Sequence, residues 1–466
     1  MRFGEQKEKG MIGNMTSRIK NMTDGRPASL ILTFAMPLMI GNVFQQLYTV
    51  VDTMVVGKAL GVTALAAVGA ADWMNWLMLG IIQGITQGFG ILMAQEFGAG
   101  KYEDLRKTIG CSAALSLLSS AAFLCMGQLI ARPILELLQT PAEIIGNALL
   151  YLRIMYLGVP VVMSYNLLAT ILRSLGDGRT PLCAMIVAAA VNIALDILFV
   201  PVMGFGIGGA AAATLIAQII SGIFCFYHIR RIEILTLTAS DFTLREHRPL
   251  KLFLLGAPMA FQNAVISVGG MIVQSVVNGF GVIFIAGFTA TNKLYGVLEV
   301  AATSYGYSMV TYAGQNLGAG RVDRIRQGIR AALLISLATS ALIAAVMLLG
   351  GKAILSCFIS GTPQEFEQTL QVAYYYLAVM SVFLPVLYIL HAVRSTIQGM
   401  GNTVLPMISG IAEFIMRAAS AILLPMLIGE TGIFYAEIMA WAGADVILIA
   451  SYFAVMKKAG KIAEAG

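Results

Sequence analysis

Residues 94–107 read AQEFGAGKYEDLRK, and residues 314–327 read GQNLGAGRVDRIRQ. The two segments share a Gly-Ala-Gly turn and a basic helical start after it, at a spacing of roughly 220 residues. The same offset recurs on both sides of the pair. Met36-Pro37 answers Ala257-Pro258, Asn42 answers Asn263, and LGDGRTP ending at Pro181 answers MGNTVLP ending at Pro406. The chain is therefore a duplication, and repeats of this length are a frequent construction of chains built across a membrane.

Composition points the same way. The 466 residues are 58% hydrophobic and 12% charged, against roughly 25% charged in soluble domains. Apolar stretches of about 20 residues or more, each long enough for a hydrocarbon core roughly 30 Å thick, recur along most of the chain. They lack the alternation of a spanning β-barrel, so the spans are expected to be helices. Twelve are placed at roughly 29–57, 64–94, 108–131, 143–175, 180–202, 208–229, 251–279, 283–313, 328–350, 367–397, 404–428 and 432–457. The expected fold is thus an all-α membrane protein of twelve helices in two six-helix bundles. The repeats run parallel because an even number of spans separates them, and two bundles about an axis along the membrane normal would enclose a cavity.

A net charge of +6 could suggest nucleic acid, but the distribution of basic residues decides otherwise. Lys and Arg crowd alternate turns: the N-terminal tail, Lys101 to Lys107, Arg173 and Arg179, Arg230 to Lys251, Arg321 to Arg330, Arg394, and Lys457 to Lys461. The turns between hold only Lys58, Arg132 and Lys352. By the positive-inside rule this is topology. Both termini are expected in the cytoplasm of a cell inner, or plasma, membrane protein. The layout is a cytoplasmic tail at 1–28, a bundle at 29–229, a cytoplasmic linker at 230–250, a second bundle at 251–457 and a tail at 458–466. The five cysteines stand singly, as packing residues do.

Counting depth from the turns gathers a candidate ion site. Asp52 precedes an outer turn by about five residues, Asp196 precedes Pro201 by five, and Thr214 follows Gly209 by five. At 1.5 Å per residue all three are expected roughly 8 Å below the outer helix ends. Asn192 lies one turn deeper on the face of Asp196. Carboxylate, amide and hydroxyl oxygens suit a hard cation such as sodium, while two neighbouring acids in a low-dielectric site equally suit a proton. Asp72, Trp73 and Trp76 read instead as an interfacial group.

Nearly the whole chain resembles the multidrug and toxic compound extrusion (MATE) family. The resemblance is carried by FAMPLMIGNVFQQLYTVVDTMVVGKALGVTALAAVG from Phe34, the Gly-Ala-Gly turns at Gly98 and Gly318, RSLGDGRTP from Arg173 and NIALDILFVPVMGFGIGGAAAAT from Asn192. It implies a secondary active antiporter that exports cationic or amphipathic small organic molecules in exchange for protons or sodium by alternating access. It also implies that the Asp52, Asn192, Asp196 and Thr214 positions form the cation or proton site of the first bundle. Pro37, on the same helix as Asp52, is then a candidate hinge whose bending follows ionisation; kinked packing is the alternative.

The second half keeps the scaffold without the acids: Val273 stands opposite Asp52, Arg417 opposite Asn192 and Ala421 opposite Asp196. The span-seven helix offers Gln262 and Asn263 where one branch of the family has a Glu, so the chain resembles the DNA-damage-inducible branch instead. Glu413 and Arg417 are spaced for an intrahelical ion pair. Gln45, Lys293, Glu299, His391, Glu413 and Arg417 are further candidates for substrate contact or a charge network. Lys293 and Glu299 are expected to reach a neighbouring helix rather than each other, and Arg153, Glu437 and Asp445 are buried-charge candidates without partners. Pro160, Pro258 and Pro385 are further kink candidates.

No HExxH, P-loop, Ser/His pair or Cys/His cluster supports an enzyme or an ATP-driven pump. Expected partners are small organic substrates and the lipid bilayer, with no nucleic acid. A monomer is expected, with no cofactor beyond the coupling ion, H+ or Na+. The alternative function is an exporter or flippase of a specific endogenous metabolite or lipid-linked sugar.

Overall fold

A computed structural model of the chain describes residues 19–137, 140–242, 244, 247–359 and 362–465; most of the expected N-terminal tail, residues 1–18, lies outside them. Helices dominate, and no strand occurs among the described residues. In chain order they are α1 (Pro27–Leu60), α2 (Val62–Gly98), α3 (Tyr102–Leu137), α4 (Ala142–Leu157), α5 (Val159–Ser174), α6 (Arg179–Ile197) and α7 (Gly206–Ile229). The second series is α8 (Arg248–Val277), α9 (Val282–Gly318), α10 (Val322–Ser356), α11 (Pro363–Val382), α12 (Leu384–Gly399), α13 (Val404–Ile428) and α14 (Ala436–Ala465).

Among the described residues, nine helices are long and apolar enough to cross a membrane, or eleven when each bent pair counts as one span. The bent pairs are α4 with α5, at 48°, and α11 with α12, at 47°. Each second helix opens with a proline in its first turn, Pro160 and Pro385, where the missing N–H costs nothing. The residues read as kink candidates in spans four and ten therefore stand at true breaks. The twelfth expected span is α9. At 37 residues it is long enough to cross, but it carries Asn292, Lys293 and Glu299 and is buried along most of its length, so it needs no continuous lipid-facing apolar surface. The span expected to start at 432 instead begins with a 3-10 turn, Glu430–Tyr435, before α14.

The chain divides into two compact units, one built on Met36–Ala260, the other on Phe261–Gly466 with Gly25–Ala35. The borders fall inside α1 and α8, each within a turn of a proline, Pro37 or Pro258. Each unit thus holds the first turns of a helix whose remainder belongs to the other. In the first unit Arg248, which opens α8, donates to Glu96 (3.0 Å), to the Asp104 carbonyl (3.0 Å) and carboxylate (3.1 Å), and to the Thr108 hydroxyl (2.7 Å). In the second, Arg324 donates to Asn316 (3.0 Å) and to the carbonyl of Gly25, just before α1 (2.9 Å). Glu96 and Asp104 are the repeat counterparts of Asn316 and Arg324, so one position in the duplicated turn has reversed its charge while keeping its task.

The linker after α7 docks on α3, where a carbon added to Gly110 would stand 2.2 Å from the Asp241 carbonyl. Burial pushes the Asp241 carboxyl up, but the Thr238 amide and hydroxyl, with Arg106 and Lys107, outweigh it and hold the group below its ordinary value.

Glycine sets the approach of α8 to α2 in the first unit. A carbon added to Gly88 would lie 2.4 Å from the Gly256 Cα, and one added to Gly84 would lie 2.5 Å from the Ala260 backbone. Small residues at such crossings let backbones meet. In the second unit Ser308, the counterpart of Gly88, instead donates to the Ile31 carbonyl of α1 at 3.2 Å. Gly88→Ala is expected to force α8 away and lower stability by about 1–3 kcal/mol. Gly146→Ala, in open space on α4, is expected to leave stability level or raise it by about 0.5–1 kcal/mol. Thermal unfolding of the two variants in detergent checks the contrast; equal melting temperatures would contradict the packing.

Candidate functional site

The first unit brings the depth-counted residues together. Asn192 and Asp196 sit one turn apart on α6, with exposures of 1% and 0%, and the Asn192 amide nitrogen donates to Thr214 on α7 at 3.4 Å. Thr214 in turn donates to the Ala210 carbonyl at 3.2 Å. Asp52 on α1 stands within electrostatic reach of Asp196. The layer is deeper than the turns implied, because α1 runs on to Leu60 and α7 starts at Gly206. Asp52 and Thr214 each lie eight residues from these ends, roughly 12 Å at 1.5 Å per residue.

Three residues join this layer that the sequence reading left out or placed elsewhere. Asp72 acts electrostatically on Asp52. It lies ten residues inside α2, roughly 15 Å from that helix's N-terminal end, and with Trp76 it belongs to the wall of a cavity rather than to an interfacial belt. Tyr151 on α4 lies within electrostatic reach of Asp52, Asp72 and Asp196. Gln218 follows Thr214 by one turn on α7. A partly open cavity is walled by Asp72, Trp76, Tyr151, Met155, Tyr156 and Gln218 among others. The spacing of Gln218 from Thr214 and the depth of Asp72 were both available signals, since the count that found Asp52 applies equally to α2.

The chemistry of the layer lies in its unmet acceptors. Asp52 Oδ1, Asn192 Oδ1, both Asp196 carboxylate oxygens and Gln218 Oε1 are buried without a hydrogen-bond donor. A buried acceptor left unpaired costs about 1–3 kcal/mol and a charged one more. Oxygens gathered in this way are stabilised by a bound proton or a cation. Among the described residues no three His, Cys, Asp or Glu side chains converge to hold a metal ion, so a cation here would have to lean on the Asn192 and Thr214 oxygens. Gln45 lies two turns from Asp52 on α1 and hydrogen-bonds the Tyr48 side chain. Pro37 lies inside α1, at the border between units.

The second unit places at the repeat counterparts a buried Val273 and a buried Ala421, with a chain of ion pairs around Arg417. Glu413 receives Arg394 on one oxygen and Arg417 on the other, the latter at 2.9 Å. Arg417 also donates to Glu437 at 2.8 Å and to the Ile266 carbonyl at 3.3 Å. The intrahelical pair is present, but as one link of a four-residue ladder. Gly269 makes room for it: a carbon there would stand 3.0 Å from Arg417 Nη1.

Five charges differ from their sequence reading. Arg394, counted among cytoplasmic basic residues, is 7% exposed and ion-paired, because α12 extends inward past it. Glu437 has a partner. Arg153 is exposed rather than buried. Glu299 meets neither Glu413 nor Arg417 but His391, at 3.4 Å on α12, while Lys293 is exposed and makes no ion pair among the described residues.

A duplicated bundle of spanning helices, with buried unpaired acids inside one repeat, defines a membrane transport protein. The MatE family model matches residues 37–198 and 258–423, once in each repeat. The chain belongs to the MatE family. It is 30% identical over 305 residues to the probable multidrug resistance protein YpnP of Bacillus subtilis (strain 168), covering 66% of this chain and 68% of that one. It is 26% identical over 320 residues to a FAD transporter of Shewanella oneidensis, covering 66% and 68%. Its fold matches that of a MATE solved in complex with MaL6, with a TM-score of 0.87 at 21% identity over 95% of this chain and 99% of the other. The twelve-helix, two-bundle architecture is thereby established.

Proposed function

We propose that the chain is a secondary active multidrug efflux antiporter of the cell inner membrane, with both termini in the cytoplasm, working as a monomer. It exports cationic or amphipathic organic molecules by alternating access, and the coupling ion is a proton bound between Asp52 and Asp196. The observation that carries this reading is the Asp196 side chain, wholly buried with neither oxygen meeting a donor. An ionised carboxylate there would stand desolvated beside Asp52, whereas a protonated one is neutral. The aromatic wall of Trp76, Tyr151 and Tyr156 with the Asp72 carboxylate suits a flat organic cation. Pro37 supplies the bend by which occupancy of the site is passed along α1.

Proteoliposomes loaded with ethidium test the coupling. A pH gradient alone is expected to drive efflux and a sodium gradient alone to leave it at the leak rate; the reverse result would assign the site to sodium. The FAD transporter relative supports one other reading, export of a single metabolite. Under it FAD would compete with ethidium, and ethidium alone would not be moved.

A further inference from the structure

The second unit holds more buried acid than base, and its surplus points to one residue. Glu413, Glu437 and Asp445 face Arg394 and Arg417, while Glu299, 32% exposed, meets His391. The two guanidiniums balance two of these three acids and leave one over. Asp445, on α14, is 7% exposed and its Oδ1 meets no donor. From α12 it is faced by Arg394, whose Nε is also buried and unmet, and from α13 by Glu413. His391 is on that same α12, Arg417 on that same α13, and Glu437 two turns back on α14. The guanidiniums of Arg326 and Arg330, from α10, act on Tyr452, nearly two turns further along α14. Glu430, in the 3-10 turn before α14, is exposed. One proton on Asp445 would supply the missing balance.

We propose that the second unit carries a proton site of its own at Asp445, and that Arg394 is shared between Glu413 and Asp445 as that proton comes and goes. With the proton on Asp445 the ladder is neutral and Arg394 is held by Glu413, as in this structure. When the O–H bond breaks and the proton passes to water, the new carboxylate takes the free Arg394 Nε–H, and the Arg394–Glu413 contact loosens. Helices α12, α13 and α14 are thereby tied differently in the two states. Each cycle then moves a proton through this unit in addition to the one held between Asp52 and Asp196.

The proposal goes beyond the function assigned above, and its test is independent of that site. Infrared difference spectra between mildly acid and alkaline pH are recorded on the full chain in liposomes, with Asp52→Asn, Asp72→Asn and Asp196→Asn silencing the first unit's buried acids. A titrating C=O band of a protonated carboxyl is expected to remain. It is expected to vanish when Asp445→Asn is added and to persist with Glu299→Gln. No titrating band in the silenced protein, or a band indifferent to Asp445→Asn, would overturn the proposal. Should Asp445→Asn fail to fold, Asp445→Glu in the wild-type chain is expected to displace one carboxyl band in frequency, and an unchanged spectrum would be equally fatal. Failure of the first site would show separately, as wild-type efflux from the Asp52 and Asp196 variants.

Discussion

Asp196→Asn is expected to reduce gradient-driven efflux of ethidium at least about a hundredfold, some 2.7 kcal/mol in rate terms, while leaving the fold at least as stable as the wild type. The two halves of this expectation have one cause. Both Asp196 oxygens are buried without donors, so the side chain contributes no hydrogen bond that the amide would lose, and the amide removes the cost of a charge. It also removes the only function the carboxyl has there, which is to take up and release a proton. Asp52→Asn is expected to match it, because the two acids act as one site. For the same reason the double variant is expected to be no worse than either single one. Initial efflux rates in proteoliposomes and melting temperatures in detergent measure both halves. Wild-type rates would remove the site, and a collapsed melting temperature would make Asp196 a structural residue.

Glu413→Ala is expected to have the largest effect on stability, about 3–5 kcal/mol, through the opposite logic. Glu413 is 4% exposed and its two oxygens hold two guanidiniums, Arg394 and Arg417. Removing it takes from Arg394 the one acid that ion-pairs with it among the described residues and leaves Asp445 as the only other acid acting on it, while Arg417 keeps Glu437. Breaking a buried ion pair from one side is far more costly than replacing both partners with apolar groups. The double variant Glu413→Ala with Arg394→Met is therefore expected to melt above Glu413→Ala alone. Size-exclusion thermal unfolding of the pair decides it, and a double variant below the single one would contradict this view of the ladder.

Much of the fold is written in one dimension. Span lengths, the duplicated Gly-Ala-Gly turns and the alternation of basic turns need only composition and spacing, and depth along a helix is likewise a linear count. That is why Asp52, Asp196, Asn192 and Thr214 could be set in one layer before their helices were packed. What a linear reading lacks is which way a helix faces and what stands opposite. Glu299 finds His391, and Arg394 finds Glu413, across helix pairs whose mutual rotation no spacing encodes. Arg394 also shows how the positive-inside rule misleads when a basic residue lies on a buried face near a span's end. α9 fails a hydropathy test for a related reason, since a helix covered by its neighbours is free of the demand that lipid makes. The bend of α4 and α5 was partly visible in Pro160, whereas Gly158 as the break depends on packing: a carbon there would lie 2.0 Å from the Leu215 side chain.

The central claim is that one site in the first unit exchanges its proton in response to the exported molecule. Adding ethidium to the detergent-solubilised protein in weakly buffered solution, with a pH dye to count protons, tests it most directly. The account predicts that binding releases protons from the wild type and that Asp52→Asn and Asp196→Asn, though still binding ethidium, each lose the release assigned to that site. Equal release from the wild type and both variants would contradict it.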